Sequence, residues 1–174
     1  ASRRSNNLAR ALIRRGAQPG DKVAFYMRNR PDYCELMAAC FKARLTHVNI
    51  NYRYKPDEVF YIIDNSDAQT VVYGSEFADV IAEIRPRLTK VQTFIEVTEG
   101  EPSAFAQRFE TLTQEGDGSP LRLERSPHDE FFIYTGGTTG MPKGVIWRHD
   151  DLRETHLTSL RKLGPVPETL DALV

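Results

Sequence analysis

Cysteine is scarce in this sequence of 174 residues. The two cysteines, Cys34 and Cys40, fall six residues apart on different faces of one predicted helix. A metal site or a redox pair is therefore not favoured, and we expect both to be buried thiols of the core. So few cysteines also suit the reducing cytoplasm.

Long hydrophobic runs are also missing. No apolar stretch approaches the roughly 18 residues that a membrane-spanning helix needs. The first residues, ASRRSNNLAR, lack the apolar centre of a signal peptide. We therefore expect a soluble, cytoplasmic protein without a transmembrane segment.

An excess of charge of either sign is absent as well. The sequence has 23 Lys and Arg against 24 Asp and Glu, a formal net charge of -1, and the two signs are interleaved. This balance argues against a general nucleic-acid surface or a polybasic membrane surface. It remains compatible with a local cationic site for a small anion such as a nucleotide.

Short apolar runs alternate with helical patterns along the first hundred residues. The runs KVAFYM, HVNIN, QTVVY and VQTFIEV predict buried strands. Between them we predict helices, the first ending at Gly16, the third ending at Asn65 and the fourth capped by Ser75. Such alternation predicts an α/β fold, with a mostly parallel sheet flanked by helices on both faces.

The composition shifts between Glu99 and Pro127, where Gly, Pro and charged residues are frequent. This segment predicts a connection, with a boundary near Gly118. We accordingly divide the chain into an α/β subdomain, residues 1–117, and a segment, residues 118–174, which carries a glycine- and threonine-rich loop and is an incomplete domain.

That loop lies in YTGGTTGMPKGVIWRH, residues 134–149, between two predicted strands, EFFIYT and GVIWR. Successive glycine N–H groups can converge on one anion, threonine hydroxyls add donors, and a lysine adds positive charge. These parts suit the phosphates of a nucleotide. The residues assigned to this site are Thr135, Gly136, Gly137, Thr138, Thr139, Gly140 and Lys143.

Two better-known phosphate-binding motifs do not fit the loop. A Walker A loop requires Gly-Lys-Ser/Thr at the start of a helix, whereas Lys143 follows Pro142 and precedes a strand, which disfavours a P-loop kinase or GTPase. The dinucleotide fingerprint fails on spacing and on position in the chain. A flexible glycine hairpin without chemical importance remains an alternative.

The stretch YTGGTTGMPKGV closely resembles the AMP-binding signature of the adenylate-forming superfamily, which includes acyl-CoA synthetases, luciferases and peptide-synthetase adenylation domains. That signature usually has serine where Gly136 stands. Two upstream segments, NNLARALIRRGAQPGDKVAFYMRNRPDY and ACFKARLTHVNINYRYKPDEVFYIIDNSDAQTVVY, also resemble the family in the correct order. The second has Arg44-Leu45-Thr46 where a Gly-Ala pair is common.

The resemblance implies a partial N-terminal domain of the acyl-CoA synthetase fold and a two-step reaction. A carboxylate attacks the α-phosphorus of ATP, bound with Mg²⁺, to give an acyl-adenylate and pyrophosphate, and the thiol of coenzyme A then takes the acyl group. In this AMP-forming acid–thiol ligase family the loop holds the β- and γ-phosphates. The threonines would donate to phosphate oxygens, the glycines would let the backbone approach, and Lys143 would offset charge. The sequence looks most like the bacterial fatty-acyl branch.

The family's later motifs are missing, including its adenylation lysine, its magnesium-binding acid and its acyl pocket. We therefore expect an engineered, proteolytic or degenerate piece that does not catalyse adenylation alone, and we assign it no catalytic residue and no metal ligand. A non-catalytic nucleotide-binding or interaction module derived from the family is the alternative. Uncovered apolar faces predict a homo-oligomer or poor solubility.

Three further features suggest chemistry only weakly. His128-Asp129 resembles part of a hydrolase triad, but no Gly-x-Ser-x-Gly motif accompanies it. His149 and His156 lack a third metal ligand at a suitable spacing, and we expect His149 to pack or hydrogen-bond near the loop. The cluster NYRYK, residues 51–55, predicts a solvated turn rather than a single-strand-binding surface.

Overall fold

A computed structural model describes residues 2–136, 140–162 and 164. The described α-helices are α1 (Ser2–Arg14), α2 (Pro31–Ala43), α3 (Pro56–Asn65), α4 (Ala78–Ile84), α5 (Phe109–Gln114) and α6 (His149–Arg161). The described strands are β1 (Lys22–Tyr26), β2 (Thr46–Asn49), β3 (Ala68–Gly74), β4 (Thr93–Val97), β5 (Gln107–Arg108), β6 (Glu130–Thr135) and β7 (Lys143–Arg148). No helix in this part of the chain combines the length and the apolar character that crossing a bilayer requires.

The strands form one sheet of seven in the order β5-β4-β3-β1-β2-β6-β7. Every neighbouring pair is parallel except the last, because β6 and β7 form an antiparallel hairpin. The prediction of an α/β fold with a mostly parallel sheet flanked by helices is therefore confirmed.

Helices cover both faces of the sheet, and the two-residue period of the strands divides the core accordingly. Phe25 of β1 points towards α1, α2 and α5, whereas its neighbours Ala24 and Tyr26 point towards α3 and α4. Each fully buried large apolar side chain stabilises the fold by roughly 1.5–3 kcal/mol. The two apolar clusters hold the strands in register from both sides.

Two of the predicted helix ends are confirmed and one is wrong. Gly16 follows α1 with a φ of +96°, which favours glycine, and α3 ends at Asn65. Ser75, however, is not the N-cap of the fourth helix, because residues Ser75–Phe77 form a 3₁₀ turn and α4 begins at Ala78. Phe77, the last residue of this turn, packs against the Tyr26 ring at 4.4 Å between centroids, a tertiary contact that a local capping preference does not include.

The two cysteines differ in their environment. Cys40 is buried, and burial raises the pKa of its thiol. Cys34 is exposed, so the prediction of two buried thiols is wrong for this residue. It lies in the first turn of α2, on the side away from the sheet, whereas Leu36 and Cys40 pack inward.

The connection between α5 and β6 contains no helix or strand from 115 to 129, yet α1 binds its first part. The Asn7 side chain donates to the Thr113 carbonyl at 2.9 Å and accepts from the Gly118 amide at 2.8 Å. The Asn6 side-chain amide donates to the Gly118 carbonyl at 2.8 Å. The division between residues 117 and 118 falls here and stays a prediction, while the sheet itself continues from β2 to β6.

Candidate phosphate-binding hairpin

The glycine- and threonine-rich loop joins β6 to β7. Thr135 pairs with Lys143 across the hairpin, and both residues are exposed. A hydroxyl and an ammonium group therefore stand at the two ends of the loop. Gly137, Thr138 and Thr139 lie outside the described residues, so their assignment to the site stays a prediction.

The hairpin leaves the sheet at the carboxyl edge of the parallel strands. Because β6 runs parallel to β2, its last residue, Thr135, lies at the same edge as the ends of β1, β2, β3 and β4. Ligands of open parallel α/β sheets bind beyond this edge. The loop thus has the position in the fold that a nucleotide site requires.

The two described glycines of the loop differ in backbone conformation and in the space around them. Gly140 has a φ of +118°, a conformation that side chains rarely adopt. A Cβ added to Gly136 would lie 3.4 Å from the Tyr54 hydroxyl, a tolerable contact. Among the described residues, a Cβ at Gly136 is therefore not excluded by crowding.

The same distance places Tyr54 beside the hairpin, and the sequence analysis did not assign this residue to the site. The cluster at residues 51–55 forms the predicted turn, in which the Tyr54 amide donates to the Asn51 carbonyl at 3.0 Å. Tyr54 is nevertheless half-buried against the core, and its hydroxyl reaches the hairpin. Its position in the turn that follows β2, in a sheet where β2 neighbours β6, is the signal that places it there.

Cationic side chains accompany this turn. The Arg28 guanidinium lies 5.0 Å from the centre of the Tyr52 ring, and that of Arg53 lies 5.5 Å from the same ring. Arg28 follows β1, and Arg53 follows β2, so both belong to the carboxyl edge. Arg28 also lies 4.0 Å from Glu76 Oε1, which offsets part of its charge.

Tyr134, the residue before Thr135, fixes the base of the hairpin. Its hydroxyl donates to Asn65 Oδ1 at 2.8 Å, and its amide donates to Asn49 Oδ1 at 3.0 Å. Burial raises the pKa of Tyr134 and of Tyr54 above the ordinary value of 10. Opposite Tyr134 stands Gly144, where an added Cβ would approach the Tyr134 ring to 2.9 Å.

The histidines do not join this site. The His149 ring packs 4.9 Å from the Phe41 ring and 6.2 Å from the Phe131 ring. It packs as predicted but not near the loop, because β7 carries the chain to the opposite end of the hairpin before α6 begins. His128 contacts Arg148 and Asp150, and Asp129 binds Arg44 instead of a histidine. Among the described residues no group of three metal-ligating side chains occurs.

Comparison with known proteins gives consistent matches. The sequence model of the family described as AMP-binding enzyme matches residues 1–171. The 3-oxocholest-4-en-26-oate–CoA ligase of Rhodococcus rhodochrous is 40% identical over 153 residues. A medium/long-chain-fatty-acid–CoA/3-oxocholest-4-en-26-oate–CoA ligase of Mycobacterium tuberculosis is 39% identical over 153 residues. Both alignments cover 86% of this chain but 28% of the relative, so the chain spans little more than a quarter of their length.

A solved structure has the same fold. The anthranilate CoA ligase AuaEII, in complex with anthranoyl-AMP, superposes with a TM-score of 0.83 at 25% sequence identity. The superposition covers 88% of this chain and 30% of the other. The architecture described above is thus found in a protein whose structure holds an acyl-adenylate.

Proposed function

The chain belongs to the AMP-binding enzyme family, and on that premise we propose that it is the N-terminal part of an ATP-dependent acyl-CoA synthetase. The whole protein activates a carboxylic acid as its acyl-adenylate and transfers the acyl group to coenzyme A. The observation that carries the proposal is the hairpin at the carboxyl edge, with Thr135 and Lys143 at the two ends of its glycine-rich loop.

The hairpin has the donors that a polyphosphate needs. Phosphate oxygens accept hydrogen bonds from backbone N–H groups and hydroxyls, and the Lys143 ammonium offsets part of their charge. We assign Thr135, Thr138 and Thr139 as donors and Gly136, Gly137 and Gly140 as positions of close backbone approach. ATP supplies the leaving pyrophosphate, and Mg²⁺ accompanies it, but we assign no magnesium ligand to this chain.

The acid is best described as apolar. One relative is named for medium- and long-chain fatty acids and both for a steroid carboxylate, which supports a fatty or similarly hydrophobic substrate in fatty acid metabolism. We propose a cytoplasmic site of action, where ATP and coenzyme A are available. No nucleic-acid partner is proposed.

Binding of inorganic pyrophosphate tests the role of the hairpin in the chain itself. We expect Lys143→Ala to weaken binding about tenfold or more, since a charge-assisted hydrogen bond contributes roughly 1.5–3 kcal/mol. Lys162→Ala removes an exposed lysine after α6 and serves as the control. Equal affinity of the parent and of Lys143→Ala would reject the assignment.

Adenylation is tested separately. We expect the chain alone to give no ATP–pyrophosphate exchange with a fatty acid, because the family's adenylation lysine is not in this sequence. Exchange clearly above background would contradict this part of the proposal and leave the binding result unaffected.

A further inference from the structure

We propose that Asn65 and Tyr134 form a positioning pair that sets the geometry of the phosphate-binding hairpin from helix α3. This inference rests on the proposed function of the hairpin. Neither side chain contacts phosphate in the proposed site. Their role is to hold the two strand ends that carry Thr135 and Lys143.

The first step is the connection between α3 and β6. Asn65 is the last residue of α3, and its Oδ1 accepts the hydrogen bond from the Tyr134 hydroxyl at 2.8 Å. Tyr134 is 5% exposed, whereas Asn65 is exposed, and the hydrogen bond between them is part-buried. A helix on one face of the sheet is thereby tied to the residue directly before Thr135.

The second step is the restraint on the backbone of Tyr134. Its amide donates to the side chain of Asn49, the last residue of β2, at 3.0 Å. Both ends of Tyr134 are therefore held, the backbone by β2 and the phenol by α3.

The third step is the contact between the Tyr134 ring and the backbone of β7. Gly144 pairs with Tyr134 across the hairpin, and a Cβ there would lie 2.9 Å from Tyr134 Cζ. The backbone of β7 therefore lies directly against the ring, at the residue adjacent to Lys143. Contacts run from Asn65 through the Tyr134 ring to Gly144, and they set where the Lys143 ammonium and the Thr135 hydroxyl stand relative to each other.

Tyr134→Phe and Asn65→Ala test the pair. Each removes the hydrogen bond without removing a proposed phosphate ligand, and we expect each to weaken pyrophosphate binding about fivefold, the equivalent of one neutral hydrogen bond. The double variant should bind no more weakly than either single variant, because both substitutions remove the same interaction. Multiplied losses in the double variant would overturn the proposal.

Tyr73→Phe is the matched control. Tyr73 is also buried, and its hydroxyl donates to Glu96 at 3.0 Å, on β4 and away from the hairpin. We expect this substitution to lower the free energy of unfolding but to leave pyrophosphate affinity unchanged. An equal loss of affinity in Tyr73→Phe would mean that affinity follows general stability, and the positioning role would be rejected.

Amide hydrogen exchange separates this inference from the proposed function. We expect exchange at Thr135 and Lys143 to become about fivefold faster in Tyr134→Phe and Asn65→Ala, whether or not a ligand is present. If the parent fails to bind pyrophosphate, the proposed function of the hairpin is rejected. Amide exchange alone then tests whether Asn65 and Tyr134 restrain the hairpin. Unchanged exchange at both residues would overturn the positioning pair, even if the parent binds pyrophosphate.

Discussion

Arg44 and Asp129 join the turn after α2 to the residue before β6. The Arg44 guanidinium donates to both Asp129 carboxylate oxygens, with Nε at 3.0 Å and Nη2 at 2.9 Å. Arg44 also has a φ of 59°, in the left-handed region that favours glycine. The ion pair therefore offsets an unfavourable backbone conformation and holds the strand that leads to the loop.

Substitution of Arg44 separates these two effects. Arg44→Ala loses the ion pair and keeps the backbone strain, whereas Arg44→Gly loses the pair and relieves the strain. We expect the glycine variant to melt about 2–4 °C above the alanine variant, the reverse of their order in an ordinary helix. Thermal unfolding followed by circular dichroism measures this order, and equal melting temperatures would contradict it.

His47 is expected to make stability depend on pH. Burial lowers the pKa of His47 to about 4, from an ordinary value of 6.5, and a 2.7 Å hydrogen bond joins its Nε2 to the Tyr33 hydroxyl. Between these two values the unfolded chain binds the proton more readily than the folded chain. The contribution of neutral His47 to the free energy of unfolding is therefore complete above pH 6.5 and is lost as the pH falls towards 4.

Urea unfolding at pH 7.5 and at pH 5.0 measures this contribution. Between pH 7.5 and pH 5.0 the free energy of unfolding should fall by about 2 kcal/mol more in the parent than in the His47→Gln variant. The exposed His156 provides the control, since His156→Gln should retain the pH dependence of the parent. A parent and a His47→Gln variant with the same pH dependence would show that His47 is not responsible.

Gly144→Ala should destabilise the hairpin by overpacking. The new Cβ would lie 2.9 Å from the Tyr134 ring, which must shift, and such a change costs roughly 1–3 kcal/mol. Gly100→Ala is the control, because its Cβ would meet only Thr98 Oγ1 at 3.8 Å. Chemical denaturation of the two variants compares them, and an equal free energy of unfolding would argue against the close contact.

Within the described residues β7 is an edge strand, and we expect this edge to promote association. Val145 and Ile146 are 43% and 57% exposed on the last strand of the sheet. We expect the chain to form oligomers and Ile146→Lys to reduce their size in light scattering. Leu123→Lys changes a residue with similar exposure, 41%, away from this edge and should have little effect. A monomeric parent would contradict the expectation.

Local patterns predicted the elements of the fold well, because strand and helix periods follow from burial along the chain. The apolar runs placed β1 to β4, and Gly16 marked the end of α1 through its own backbone freedom. Ser75 was misjudged because capping preference is a local quantity, whereas the packing of Phe77 on Tyr26 joins residues far apart in the sequence.

The position of two proposed site residues at the ends of one loop was also predictable from local sequence. Thr135 and Lys143 stand in one motif, so sequence alone placed them together. Tyr54 and Asn65 approach the hairpin only through the parallel pairing of β2 with β6 and the packing of α3 on the sheet. Both lie in an upstream segment that resembles the family, but nothing in that segment relates them to the hairpin, and the strand order is needed to find them.

Chemical-shift mapping with inorganic pyrophosphate tests the central claim most directly. In the isotopically labelled chain, we predict that the largest amide shifts fall between Thr135 and Lys143 and that Lys143→Ala greatly reduces them. Shifts concentrated elsewhere, or a response that the Lys143→Ala variant leaves unchanged, would contradict the assignment of the hairpin as the phosphate-binding site.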